Sequence, residues 1–417
     1  MTTITELSEK LQHLFTWQAD RLAKQTGFVQ RERVVSGSGF AQALVFGSLA
    51  EPQGTRKQLQ QYASLAGLRV SVQGLDQRFT ASAVAFMRSL LEAGLEEVVQ
   101  SNAPLVVLPR FNGVYLTDCT RLVWGATGVK LAVRLELQRG QLQASLGELL
   151  EHNQRVAVVQ RALPAGALHL GDLGFFKLSQ FREWTAAGVF WLTRYKVGTR
   201  LYTPDGQVLD LPTLLDSDQP LTLPVRLGSA NAAFNALLVA APLPSEALLK
   251  RQARLHEQAR LDQRPLSQRQ AGLAHWTLYL TNVPDLSFEQ AHTLARTRWQ
   301  IELLFKLWKS HGHVLRSRSA NPIRQQCEGY AKLLGLLVAH WTLLVSGWPQ
   351  DRLGALDALR LLRLHLPPLL HALTYPSAFD DFFYFLMLDL RFAPRRSTRR
   401  RSPFAYQFWY AFDDPIP

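Results

Sequence analysis

The order of elements that begins near Pro104 constrains this chain more than any other feature. "GVYLTDCTRLVW" and "VKLAVRLELQRGQLQASLGE" are β-branched, alternating and punctuated by glycine, which predicts consecutive antiparallel strands. A short stretch after them reads as helical, and "ALHLGDLGFF" reads as another buried strand. "KLSQFREWTAAG" reads as a helix stopped by Gly188, and "VFWLTRYKV" as the strand that follows. Three strands, helix, strand, helix, strand is an α/β order.

The flanking sequence divides around it. Residues 1-103 read as helices, and "TRKQLQQYASLAGLRVSVQGLDQRF" has a helix-turn-helix cadence with Gly67 at the turn, suited equally to DNA contact and to simple packing. Residues 104-197 hold the alternating order. Residues 198-274 keep strand character without alternation and end in a basic helix from Ser245, so they read as a β-rich insertion. Residues 275-345 return to a strand, "HWTLYLTNV", and then to helices. Residues 346-417 read as helical to about Leu366, where Pro367 is expected to stop the helix, then as aromatic and irregular. The arginine-rich run from Arg391 to Arg401 suits either a flexible arm on a nucleic-acid backbone or a solvated tail.

Composition narrows the class. With 417 residues at 47% hydrophobic content, the chain can bury the cores of two or three domains. The polar, helix-patterned N-terminus gives no expectation of a signal peptide. The longest apolar run, "LLGLLVAHWTLLVSGW", contains His340 and falls short of the roughly 20 residues that span a bilayer, so a core helix is expected. The cysteine count of 2 offers neither a disulfide framework nor a cysteine-based zinc site, which fits a reducing cytoplasm. A net charge of +13, carried mostly by arginine, makes a nucleic acid the leading partner, though an acidic membrane surface or protein would also be attracted.

The chemistry concentrates in "RTRWQIELLFKLWKSHG", Arg296 to Gly312. Counted as one α-helix at about 100° per residue from Arg298, Glu302 falls near 40°, Lys306 near 80° and Lys309 near 20°. Ile301, Leu304, Phe305, Leu307 and Trp308 take the opposite side. One carboxylate among three cations is either a solvated ion-paired face or a metal ligand flanked by phosphate-binding groups. The second reading needs further carboxylates. Asp118 and Asp172 supply them, each expected at the end of a buried strand and so at the rim of the core. Three carboxylates without clustered Cys or His are hard oxygen ligands, suited to Mg²⁺ or Mn²⁺. Two such ions could activate an attacking oxygen and stabilise a leaving 3′ oxygen in phosphoryl displacement.

With those residues in view, the helix resembles the signature of the bacterial DDE insertion-sequence transposases: Tyr, two residues, Arg, three residues, Glu, six residues, Lys. Arg298, Glu302 and Lys309 stand at those spacings, while Ala295 occupies the Tyr position. "TDCT" and "GDLGFF" resemble the family's two Asp motifs, and the similarity spans roughly Pro104 to Leu344. The resemblance implies an α/β fold with an RNase H-like catalytic core, a mixed five-stranded sheet flanked by helices and interrupted by the insertion. In such a core the first and fourth strands are central neighbours. It implies Asp118, Asp172 and Glu302 as catalytic metal ligands for two Mg²⁺ ions, with Arg298, Lys306, Lys309, Arg296 and Trp299 on DNA. Trp276 is implied as a platform for a base flipped out of the element's end. The partners implied are double-stranded DNA, as terminal inverted repeats and target, and a second subunit; no membrane is involved. Cleavage is implied to pass through a hairpin before strand transfer.

Bland readings stand beside these. Trp276 and Trp299 could be core aromatics. "HGH", His311 to His313, reads as a polar loop, and Cys119 as a small buried residue. An RNase H-like nuclease without strand transfer, and a non-catalytic DNA-binding relic, are the alternative functions.

Overall fold

The computed structural model describes residues 1–31, 35–102, 108–148, 161–215, 219–228, 233–263, 265–349 and 353–394. The helix expected after Glu148 and most of the arginine-rich run lie outside them. Among the described residues nine strands form: β1 (Val114–Trp124), β2 (Thr127–Glu136), β3 (Leu142–Glu148), β4 (Leu168–Gly171), β5 (Phe190–Arg194), β6 (Leu201–Tyr202), β7 (Leu221–Leu227), β8 (Phe234–Pro242) and β9 (Trp276–Thr281). The described residues divide into two compact units, those of 1–102, 118–148 and 301–394 in one and those of 108–117 and 161–300 in the other. Strand β1 passes from the second into the first at Thr117–Asp118.

In the first unit β3, β2 and β1 are neighbours in that order, and β2 pairs antiparallel with β3 from Val129↔Glu148 to Leu135↔Leu142. The turn between them needs Gly140: its φ is +67°, and a Cβ there would come within 2.4 Å of Leu344. Leu344 belongs to the helix Pro322–Val345, whose buried length from Tyr330 to Val345 is the expected core helix. It starts earlier than the apolar run suggests. Asn321 caps it, accepting from the Ile323 N–H at 2.9 Å, and Pro322 fits the first turn because no N–H is needed there. No helix among the described residues is long and apolar enough to cross a membrane.

The helix-turn-helix cadence is present as Arg56–Leu65 and Val72–Asp76, with Gly67 at φ +80° between them. The second helix is one turn long and stops before Phe79. Arg324 of the long helix, 7% exposed, bonds Asp76 at 2.6 Å and Glu328 at 2.7 Å and lies 4.8 Å over the Phe79 ring. This buried cation fixes the two-helix segment to the unit's core.

The helix Ala355–Leu364 does end just before Pro367, as expected, but the chain does not become irregular there. Leu366–Thr374 begins with Pro in its first turn, where the ring costs no hydrogen bond, and Ala378–Phe392 follows. The segment expected to be irregular is therefore helical as far as it is described.

In the second unit β1 pairs parallel with β4, β4 parallel with β5, and β5 antiparallel with β9. From β9 the order continues β8, β7, β6, all antiparallel. The strands of the β-rich stretch thus extend the same sheet instead of forming a separate one. Its core contains Phe181, Trp191, Leu238, Trp276 and Leu280, so residues before, within and after that stretch pack together.

Burial of His340 makes stability pH-dependent. Its Nε2 lies 2.7 Å from the Gly140 carbonyl, and burial pushes its pKa from 6.5 down to about 4. The folded state holds the neutral ring, so its contribution is complete above pH 6.5 and is lost as pH falls toward 4. Urea unfolding at pH 7 and pH 5 should show the wild type losing about 2 kcal/mol more than His340→Gln, which keeps an N–H donor. Equal losses in the two proteins would show that His340 titrates normally.

Candidate active site

The parallel register of β1 and β4 runs Val114↔Leu168, Tyr115↔His169, Leu116↔Leu170, Thr117↔Gly171. Asp118 and Asp172 are each the next residue. Leu116, Thr117, Leu168, His169 and Leu170 are all buried, as strands in the middle of a parallel sheet must be. A polar contact crosses this pair, His169 Nε2 to Thr117 Oγ1 at 3.0 Å, and the imidazole packs against Trp184 with ring centroids 4.3 Å apart. Gly171 leaves room for that ring, since a Cβ would come within 2.9 Å of His169 Cε1. The sequence reading missed His169, because a strand buried on both faces gives no alternation to mark a polar residue inside it.

The two aspartates differ in setting. Asp172 follows the end of β4 as expected, is exposed, and precedes the short 3-10 turn Leu173–Phe175. Its backbone carbonyl accepts from the Phe175 N–H at 2.9 Å, but its side chain makes no capping bond. The ordinary use of an Asp at this place, holding the turn, is not its use here. Asp118 is half-buried, and its Oδ1 accepts from the Cys119 N–H at 2.7 Å. It does not end its strand: β1 runs on to Trp124, and only the pairing with β4 stops at Thr117. Burial pushes the Cys119 thiol pKa up, which keeps it protonated, and the residue is half-buried where a buried one was expected.

Glu302 lies in the first turn of the helix Trp299–Lys306 and is half-buried. Ile301, Phe305 and Trp308 are buried, as the apolar stripe predicted, whereas Leu304 and Leu307 are only partly so. The segment is not one α-helix. Phe288–Thr297 ends at Arg298, the next helix starts at Trp299, and from Leu307 to His311 the turns widen to π geometry, with the Gly312 N–H reaching the Leu307 carbonyl at 2.9 Å. A wider turn advances less per residue, so Lys309 lags the angle that a uniform α-helix gives it. Arg298 and Lys309 are half-buried; Lys306 and Arg296 are exposed.

Of the two tryptophans, Trp299 is 60% exposed and Trp276 is 6% exposed within the second unit's core. In this structure Trp276 is a packed aromatic with no open face. Of "HGH", His311 ends the widened helical turn and only Gly312 and His313 lie beyond it: the His313 ring lies 3.0 Å from the Gln53 amide, and the His311 carbonyl accepts from Arg363 at 3.1 Å.

Asp118 and Glu302 belong to the first unit and Asp172 to the second. Among the described residues no group of three or more His, Cys, Asp or Glu side chains stands close enough to hold a metal ion. The donor chemistry of the three carboxylates nonetheless fits a hard divalent cation.

Residues 138–338 match the Transposase DDE domain family. Over 379 residues the chain is 24% identical to the transposase for insertion sequence element IS231F of Bacillus thuringiensis subsp. israelensis, covering 80% of this chain and 79% of that one. It is 22% identical over 366 residues to the transposase for IS1151 of Clostridium perfringens, covering 77% of each. A putative transposase for IS186A of Escherichia coli K12 is 33% identical over 147 residues, 33% of this chain and 40% of its own.

If Asp172 serves chemistry and not the turn, Asp172→Asn should change unfolding free energy by less than about 0.5 kcal/mol. A urea titration returning a loss well above about 1 kcal/mol would make the carboxylate a structural group.

Proposed function

We propose that this chain is a DDE transposase of a bacterial insertion sequence, which cuts the ends of its own element and joins them to target DNA through Asp118, Asp172 and Glu302; the family match over residues 138–338 and the transposase relatives support that reading. DNA transposition is its function, and divalent-metal-dependent phosphoryl transfer on DNA is its chemistry. The finer reading assigns Mg²⁺, replaceable by Mn²⁺, with two ions per site. The observation that carries it is the parallel register that ends at Thr117↔Gly171, with an aspartate next on each strand and that of Asp172 exposed and unused by its turn.

When bound, the ions would activate the attacking oxygen and stabilise the departing 3′ oxygen. The three carboxylates would hold them. Arg298, Lys306 and Lys309 neutralise the phosphates on either side of the reacting one, with Arg296 and Trp299 contacting DNA nearby. Each cation held near a phosphate contributes affinity that weakens with salt. Water nicks the element's end, the freed 3′-OH attacks the opposite strand to give a hairpin, and after opening the same 3′-OH attacks target DNA. One set of residues serves every step, since each is the same displacement.

The proposal extends to the architecture. The strand order β3-β2-β1-β4-β5, with β1, β4 and β5 parallel and β2 antiparallel to β3, supports an RNase H-like core. In functional terms residues 1-103 bind DNA, 104-197 and 275-345 form the catalytic core around the insertion 198-274, and 346-417 serve dimerisation. The protein works in the cytoplasm on its host's DNA as a homodimer.

The test is cleavage of DNA carrying the inverted repeats that flank the gene, with Mg²⁺, comparing wild type with Glu302→Gln. End-specific nicks or hairpins from the wild type only are expected, and strand-transfer product separates a transposase from a nuclease. Binding of the ends by both proteins without cutting under any divalent metal would leave a DNA-binding relic as the better account.

A further inference from the structure

Three side chains from three separate elements donate to backbone carbonyls of residues 311–316, directly after Lys309. Trp124 Nε1, at the end of β1, donates to the Val314 carbonyl at 2.8 Å. Arg363 of the helix Ala355–Leu364 donates to the His311 carbonyl at 3.1 Å and to the Leu49 carbonyl at 2.8 Å. Lys332 of the helix Pro322–Val345 donates to the Arg316 carbonyl at 2.5 Å. Between these carbonyls the backbone at His313 takes φ +49°, a left-handed conformation that a residue with a side chain holds where its surroundings impose it. All of these residues belong to the first unit.

Of the three donors, Trp124 comes from a strand that bears a candidate ligand. Along β1, Thr120, Leu122 and Trp124 are buried while Arg121 and Val123 are exposed, so the even-numbered side chains face the core and Asp118 shares their face. The Trp124 indole is 3% exposed and lies edge-on to Tyr330 with ring centroids 5.1 Å apart. Gly329 leaves it room, since a Cβ there would come within 2.3 Å of the indole. A buried indole N–H needs an acceptor, and this one takes a carbonyl of the chain that follows Glu302. From Trp124 back to Asp118 is about 20 Å of extended strand. From Val314 back to Glu302 is about 18 Å at helical rise. The bond therefore joins two arms of similar reach, each with a carboxylate toward its far end.

We propose that Trp124 is a positioning residue for the reaction, an inference that rests on the transposase reading: its bond to Val314 holds the helix of Glu302 and Lys309 in fixed register against the strand of Asp118. That helix cannot slide along β1 without breaking the bond, and its last turn cannot unwind while the carbonyls of His311, Val314 and Arg316 are each held. Two carboxylates kept at one separation receive a hard divalent cation without first being gathered, which lowers the cation concentration needed. Trp124 is buried and meets neither DNA nor cation; it acts through Asp118 and Glu302.

The test compares the full-length wild type with Trp124→Phe, which keeps a buried ring and loses the N–H. The control is Trp348→Phe, which loses the same kind of bond, from Trp348 Nε1 to the Leu353 carbonyl at 2.9 Å, elsewhere in the unit. Without metal or DNA, amides of residues 299–314 in Trp124→Phe should exchange with deuterium about fivefold faster. The Mg²⁺ concentration for half-maximal nicking of the element's end should rise about tenfold, with metal-free affinity for that end unchanged. Trp124→benzothienylalanine, which has the shape of Trp and no N–H, should behave as Trp124→Phe does, and Trp348→Phe should change none of the three. Wild-type exchange of residues 299–314 in Trp124→Phe would overturn the tether, and faster exchange with a wild-type Mg²⁺ requirement would overturn the positioning role. A wild type that binds the ends and never nicks would instead overturn the transposase reading, while exchange still reads the tether.

Discussion

The parallel pairing of β1 with β4 is the constraint from which the candidate chemistry follows. In a parallel pair matched residues run in the same direction, so Asp118 and Asp172 are each the residue next after the last matched pair, Thr117↔Gly171. An antiparallel pairing of the same strands would send Asp118 and Asp172 to opposite ends. Parallel strands need a long crossover between them. Here the β2–β3 hairpin and the chain after it make that connection, and the helix Leu178–Ala186 makes the next one, from β4 to β5. The register is held by burial on both faces and by the His169–Thr117 contact, which a one-residue slip would break.

Charge is arranged in two ways in this basic chain. Arg324 is buried but satisfied, between Asp76 and Glu328, and removing one partner of such a group costs about 3–5 kcal/mol because a bare charge remains. Arg194 and Lys306 are exposed, with no ion pair among the described residues. The first arrangement serves the fold. The second leaves positive charge available to a polyanion, which suits a protein that must bind DNA through its backbone before it can act on it.

Much of this was legible in the sequence. The alternation of "GVYLTDCT", "VKLAVRLEL" and "ALHLGD" with apolar helices gave the strand order and the place of Asp172, because buried strands are short apolar runs bounded by glycine and turn residues. "GVYLTDCTRLVW" read correctly as strand, but the end placed at Asp118 was too early, since β1 continues to Trp124 beside β2. The break at Arg298 and the widened turn at Leu307 carry no proline or glycine to announce them, so a uniform helix was the natural expectation. Pro367 misled because proline ends one helix and begins another with equal ease. Trp276 is a residue whose packing only the fold reveals, and the Trp124–Val314 bond joins residues 190 positions apart, a juxtaposition that no local pattern announces.

The central claim is that Asp118, Asp172 and Glu302 hold one divalent-cation centre when DNA is bound. Iron(II) substituted for magnesium in the DNA complex, with ascorbate and peroxide, cuts the polypeptide beside the ion it replaces. Cuts near all three residues, lost together in Asp172→Asn, are what the account predicts. Cuts beside one carboxylate alone, or cuts near Asp118 and Glu302 that persist in Asp172→Asn, would contradict it.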